Sequence, residues 1–462
     1  MSRFWPWVTA LVVFVIAVHV RWLHLPVASA LGDAVGPWWV AARGGWLPTP
    51  HAPPYGQLLA VPYRLLLLGA DSLWSATAGL FVMHAIVAPL AVVGIYRAGG
   101  GPIPAAVAGC ALALSPGLLD TATSGAETYL SPAWVAGLAL AVVVRRPMLA
   151  GFAFMGAVHN HPLALGVAPL LLALPWERRS LRALVGPALL VPHLSALAAQ
   201  PVGVGDGGPV NPLPALVGWV DTEGAGAALG AIGLAAGLWM PARRRLAVAT
   251  LASVGLVLLM GGWLGYVRDH HLRMLFAPAL LGLAGACLPR MGTGWLVMLF
   301  PLLTWPEDPV QRPAQGRRPG THGLLSQVTP RLAAHPERPL VVDGAWLSSS
   351  PAVEPGAALL DLHLRGEGPL DVGGEIALIV SGERADMSTL PSGLAVLHEG
   401  DRHRVLAGTQ AAVKDWLETL CTARANRGRP LPRLGGAYDG LVPLHPELPA
   451  SRVEAWTEGC GR

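Results

Sequence analysis

Val8-Thr9-Ala10-Leu11-Val12-Val13-Phe14-Val15-Ile16-Ala17-Val18 carries no charge, and beyond Arg21 and His24 it gives way to Gly32-Asp33-Ala34-Val35-Gly36-Pro37-Trp38-Trp39. The first stretch is the centre of an apolar block over 5–23, long enough to cross a bilayer as a helix. The second sets a lone carboxylate, Asp33, at the start of a long loop between apolar blocks, where water meets lipid. Ala28-Ser29-Ala30 resembles a signal-peptide cleavage site, but Arg21, Trp22 and His24 separate it from the apolar run, so the block reads as a retained span.

The same pattern repeats along the chain. With 53% hydrophobic and 13% charged residues and a mean hydropathy of +0.49, the 462 residues are too apolar for a soluble globule. Residues 1–305 therefore read as a membrane domain. Residues 306–462 hold no comparable block, carry most of the acidic residues, and are numerous enough to bury a core of their own. The net charge of +4 is no sign of nucleic-acid binding. Its carriers, nearly all arginine, stand at the ends of apolar blocks: Arg97, Arg145-Arg146, Arg178-Arg179 with Arg182, Arg243-Arg244-Arg245 and Arg290.

Under the positive-inside rule these clusters are cytoplasmic turns, and with Arg3 inside they give about eleven spans. The predicted spans are 5–23, 74–96, 103–119, 129–144, 147–160, 162–176, 183–199, 224–241, 246–265, 272–288 and 292–305. The N-terminus is then cytoplasmic and residues 306–462 are extracytoplasmic. In that outer part the runs 339–343, 358–363, 375–381, 393–398 and 404–407 read as strands and 410–424 as a helix, a mixed α/β domain. Cys421 and Cys460 both fall there and are expected to pair in an oxidising compartment. Cys110 and Cys287 lie within spans and read as small buried residues.

The order of motifs resembles the C-type glycosyltransferases (GT-C), in particular the aminoarabinose transferase and protein O-mannosyltransferase branches. Gly32-Asp33 stands where that family keeps an acid after its first span. His51-Ala52-Pro53-Pro54-Tyr55 and the apolar run after it resemble the family's Pro-Pro-Tyr interfacial segment. Asp71-Ser72-Leu73, Ile95-Tyr96-Arg97, Ala113-Leu114-Ser115-Pro116 and Glu127-Thr128-Tyr129 follow in the family's order. Gly151–Pro162 resembles a Gly-rich span closed by a basic residue and proline, with His159 or His161 in the basic place. Arg273–Pro278 resembles the start of a late span. Ala34 stands where many relatives carry a second acid, and Met274-Leu275-Phe276-Ala277-Pro278 replaces the usual Tyr-Leu-Leu-Pro.

The resemblance covers residues 1–305. It implies an α-helical polytopic GT-C-like domain, and an inverting transferase of the cytoplasmic membrane. The donor would be a polyprenyl-phosphate-linked sugar, and the acceptor an envelope lipid, glycan or protein on the outer face. The alternative is a catalytically inactive protein of the same fold that binds a polyprenyl lipid or scaffolds an envelope complex. A transporter fits less well, because the chain shows no paired repeats.

Such a transfer needs a base, cations for the departing phosphate, and access for lipid. Asp33 is the candidate base, since partial desolvation raises a carboxylate towards the useful range; an N-cap for a helix over 34–43 is the other reading. Arg268, His270, His271 and Arg273 crowd into one turn beside a span and are candidates for holding the donor phosphate. The alternative is a solvated loop with Arg273 reaching the headgroups. Glu127 either orients the acceptor or holds a divalent ion, or else begins a helix. His159 and His161 flank Asn160 between two apolar blocks, where polar side chains are costly unless they face a cavity or bond internally. They suit substrate contact, a hydrogen-bonded turn or a His-x-His metal pair. No cofactor is fixed by the sequence, and a divalent cation remains open.

Overall fold

The computed structural model describes residues 4–23, 65–66, 68–69, 73–124, 130–175, 209–265, 267, 269–285, 340–342, 376–381, 393–399, 403–408, 412 and 415. It is mostly helical. Three helices are long and apolar enough to cross a membrane: Trp5–Leu23, Ala78–Arg97 and Pro241–Trp263. Shorter apolar helices occupy Pro102–Leu114, Ser131–Val143, Leu163–Leu172 and Ala225–Trp239. These segments make the chain an integral membrane protein. The predicted spans 183–199 and 292–305 lie outside the described residues.

Prolines punctuate the bundle. Helix α1 is Trp5–Leu23; α2 (Leu73–Ala85) and α3 (Val87–Arg97) follow, then α4 (Pro102–Leu114) and α5 (Pro116–Ser124). Next come α6 (Ser131–Val143), α7 (Pro147–Asn160), a 3-10 turn Pro162–Val167 and α8 (Pro169–Leu172). Proline stands in the first turn of α4, α6, α7 and α8, where its missing N–H has no intrahelical partner to lose. Helices α9 (Leu213–Glu223), α10 (Ala225–Trp239) and α11 (Pro241–Trp263) form the second half. Short pieces complete it: α12 (Asp269–Leu272), a turn of 3-10 helix at Arg273–Leu275, α13 (Phe276–Leu281) and a 3-10 turn at Gly282–Gly285.

The predicted 74–96 span runs through as the helix Ala78–Arg97, with Ile86 in helical torsions where α2 gives way to α3. Two other predicted spans are broken. The 103–119 block parts at Ser115-Pro116, because Pro116 cannot donate back along α4. The described part of the 272–288 block, 272–285, is a chain of short helical pieces. A Cβ on Gly282 would collide with the Gly233 carbonyl of α10, so glycine lets the two backbones approach closely there.

The core is a layer of small and branched side chains. Val13 and Ala17 of α1, Val92 of α3 and Ala108 of α4 are buried together, and Gly109 lets the three helices meet. A Cβ on Gly109 would stand 2.5 Å from Val92 Cγ2 and 2.9 Å from Val13 Cγ1. Close to the end of α1, the fully buried Arg21 donates through Nε to His84 Nδ1 at 3.1 Å and through Nη1 to the carbonyls of Ala17 and Ala113 at 3.1 and 3.2 Å.

The C-terminal part contains a four-stranded sheet in the order β1-β2-β4-β3, with β1 Leu340–Val342, β2 Ile376–Ser381, β3 Leu394–Glu399 and β4 His403–Gly408. β1 pairs β2 in parallel, while β2 and β3 both pair β4 antiparallel, with a bulge at Val396/His398. The sheet is therefore mixed. Four of the five predicted strands coincide with these, and 358–363 lies outside the described residues. Ala412 and Asp415, the described residues of the predicted 410–424 helix, are helical.

Candidate active site

The site is built on a broken helix. Ser115 has non-helical torsions and caps α5: its Oγ accepts from the Leu118 N–H at 3.0 Å. Pro116 fills the first position of α5, and Gly117 the second. The Ser115 hydroxyl hydrogen is left to donate, and it meets the carboxylate of Glu223 at 2.9 Å (Oε1) and 2.8 Å (Oε2).

Glu223 closes α9 and is 2% exposed. The next residue, Gly224, has φ +51, and α10 begins just after it. A side chain there would be strained, so glycine makes the abrupt turn that leaves the carboxylate pointing at α5. The acid sits at the N-terminus of α5, where free backbone N–H groups favour negative charge. Burial pushes its pKa up to about 7; the Ser115 hydroxyl, Arg273 and the Gly117 backbone pull the other way, and Asp269 adds to the rise. Gly117 has no room for a side chain, since a Cβ would collide with Glu223 Oε1 and come within 3.1 Å of Arg273 Nε.

Arg273 fastens the other side. It is 4% exposed, and its Nη1 donates to the Gly117 carbonyl at 2.8 Å and to Thr121 Oγ1 at 2.9 Å. Thr121 in turn donates to the same Gly117 carbonyl at 2.9 Å. Nη2 pairs with Asp269, one helical turn earlier. The guanidinium therefore ties α5 to the α12 turn, and brings a positive charge beside Glu223.

The histidines form the second half of the cluster. His271 is buried and stacks on His161, with ring centroids 4.8 Å apart and planes inclined by 30°. His270 lies against His271 at 4.1 Å and is partly exposed, with its Nδ1 3.9 Å from Asp269 Oδ1. His161 caps the 3-10 turn, its Nδ1 accepting from the Leu163 N–H at 3.2 Å, which puts its own proton on Nε2. Burial, with His270 nearby, lowers the His161 pKa to about 3, so at neutral pH it offers a hydrogen bond and no charge.

Two groups named separately from the sequence thus meet: His161 from one turn, and His270, His271 and Arg273 from another. His159 is buried in α7, while Asn160 donates to Ser131 Oγ at 2.7 Å. Asp33, Glu127 and Arg268 lie outside the described residues. Among the described residues, no group of three or more His, Cys, Asp or Glu is arranged to hold a metal ion.

Sequence reasoning missed Glu223, Ser115, Thr121 and Asp269 as site residues. For Ser115 a local signal existed, since Ser-Pro inside an apolar block is a cap followed by a first-turn proline. Glu223 offered a weaker one, as the last acid before the 224–241 block.

A bundle of proline-punctuated apolar helices, with buried charged groups at helix ends, is a fold that this chain shares with known proteins. Two solved structures share it: ArnT from Cupriavidus metallidurans in the apo state, and the same protein bound to undecaprenyl phosphate. The TM-scores are 0.58 and 0.59 at 15% and 14% identity, and the match covers 89% of this chain and 99% of each ArnT chain. No protein-family model and no curated protein matches the sequence.

Proposed function

We propose that the protein is a membrane glycosyltransferase that moves a sugar from a polyprenyl-phosphate donor to an envelope lipid, glycan or protein on the outer face of the cytoplasmic membrane. The observation that supports this reading best is the meeting of His161, His270 and His271 beside the Asp269–Arg273 pair, within the fold of a protein crystallised with undecaprenyl phosphate. In this reading the chain spans the membrane about eleven times. Its N-terminus is cytoplasmic, and residues 306–462 form an extracytoplasmic α/β domain.

The chemistry assigns each group a task. Asp33 takes the proton of the acceptor hydroxyl as its oxygen attacks the anomeric carbon from the face opposite the phosphate. The bond from that carbon to the phosphate oxygen breaks, and the polyprenyl phosphate leaves with one more negative charge than the donor carried. Cationic groups are worth most at the point where that charge develops. Arg268, His270, His271 and Arg273 supply them; partial exposure of His270 favours it for the phosphate contact, and Arg273 also holds the turn in position. Glu127, His159 and His161 orient the acceptor or assist.

The test is binding and turnover with separate variants. His270→Ala/His271→Ala should weaken undecaprenyl phosphate binding by about tenfold or more, as loss of charge-assisted hydrogen bonds does. Unchanged binding in that variant counts against the assignment. An inactive, lipid-binding protein of the same fold would bind undecaprenyl phosphate as well, but Asp33→Asn would change nothing that it does.

A further inference from the structure

An open apolar groove of about 1070 Å³ runs between α3, α6 and α7, walled by Ile86, Val93, Trp134, Leu140 and Phe152. From Leu130 to Val144 it follows α6 for about 21 Å, roughly two-thirds of the hydrocarbon thickness of a bilayer. Trp134 forms its aromatic wall, and the ring lies against α7 where Gly156 leaves room: a Cβ there would come within 2.5 Å of it.

One end of the groove is charged. Arg97 closes α3 and Arg146 precedes α7; both line the groove and both are exposed. Neither guanidinium has a hydrogen-bond or ion-pair partner among the described residues. The turn that carries Arg146 is costly to make. Helix α6 ends with the Arg146 N–H bonded to the Ala141 carbonyl at 2.8 Å and the Arg145 N–H to Val142 at 3.1 Å, around Arg145 at φ +56. That closure ordinarily uses glycine, and an L side chain in it is strained by roughly 1 kcal/mol. An apolar slot with two exposed guanidiniums at one end is complementary to one class of molecule.

We propose that this groove binds an anionic phospholipid, its phosphate held by Arg97 and Arg146 and an acyl chain lying along Trp134 and Phe152. By the positive-inside reading both arginines face the cytoplasmic leaflet, so the site is separate from the outer cluster.

The test is native mass spectrometry of the full-length protein in mild detergent, with equal amounts of phosphatidylglycerol and phosphatidylcholine added. Wild type should retain phosphatidylglycerol about tenfold over phosphatidylcholine. Arg97→Gln/Arg146→Gln should lose that preference, and Gly137→Leu, which fills the groove without altering charge, should lose the bound lipid. Equal retention of the two lipids by wild type overturns the proposal without any variant. So does undiminished preference in the arginine variant. Displacement of phosphatidylglycerol by equimolar undecaprenyl phosphate would also overturn it, since the groove would then belong to the polyprenyl tail.

Discussion

Ser115 and Glu223, 108 residues apart in the chain, share one buried hydrogen bond: the Ser115 hydroxyl lies 2.8–2.9 Å from both oxygens of the carboxylate. The same hydroxyl oxygen caps α5. One small side chain therefore ends one helix, starts the next and satisfies an acid from a third. The acid is poised to exchange a proton near neutral pH, because burial outweighs the groups that stabilise its charge.

Glu223 makes stability depend on pH in a defined direction. Its pKa is raised from 4.5 to about 7 in the folded protein, so its contribution is fully present below 4.5 and is lost as pH rises through 7. Glu223→Gln keeps a side chain that can accept from Ser115 but cannot ionise. Between pH 4.5 and 8 wild type should lose on the order of 3 kcal/mol relative to this variant. Thermal unfolding in detergent across that range measures the difference, and parallel curves would show that Glu223 titrates normally.

Gly117→Ala should be more damaging than a mid-helix Gly→Ala change has reason to be. Alanine is the better helix former, but its methyl would collide with Glu223 Oε1 and crowd Arg273. Overpacking of this kind costs about 1–3 kcal/mol. Gly137→Ala, where the nearest contact to a new Cβ is 4.0 Å, is the matched control and should be neutral or better. Equal melting temperatures for the two variants would mean that the cluster yields easily.

Arg273→Ala removes the hydrogen bonds to Gly117 and Thr121 and the pair with Asp269, and leaves Glu223 without its cation. Truncating one partner of a buried charge network costs about 3–5 kcal/mol. Because Arg273 lowers the pKa of Glu223, its loss should also move that titration upward. Arg273→Lys restores charge but not the planar fork, so it should recover the titration more fully than the stability. A melting temperature unchanged in Arg273→Ala would remove Arg273 from the framework of the site.

Much of the fold was legible because hydropathy records length. The run 5–23 is helix α1 to the residue, and 147–160 is α7. The strands at 375–381 and 404–407 were readable from short β-branched and aliphatic runs and appear as β2 and β4. Breaks inside apolar blocks were harder to see. Ser115-Pro116 changes the average hydropathy of its block very little, though it ends a helix. The site was half legible for a related reason. His270, His271 and Arg273 stand out because polar residues crowd one turn, but their union with His161 and Glu223 comes from packing between distant segments. No local pattern encodes that. Glu223 reads as an ordinary loop acid until α5 is found to end against it.

The most direct test of the transferase reading is turnover of a polyprenyl-phosphate sugar by the purified protein, with Asp33→Asn beside it. The measurement is release of undecaprenyl phosphate from its glycosylated form in the presence of membrane acceptors. Wild type should release it, and Asp33→Asn should bind the donor as well but release it at least about a hundredfold more slowly, the scale of a lost general base. Equal release by both proteins, or no release by wild type despite tight binding, would contradict the catalytic reading and leave a lipid-binding protein built on the same fold.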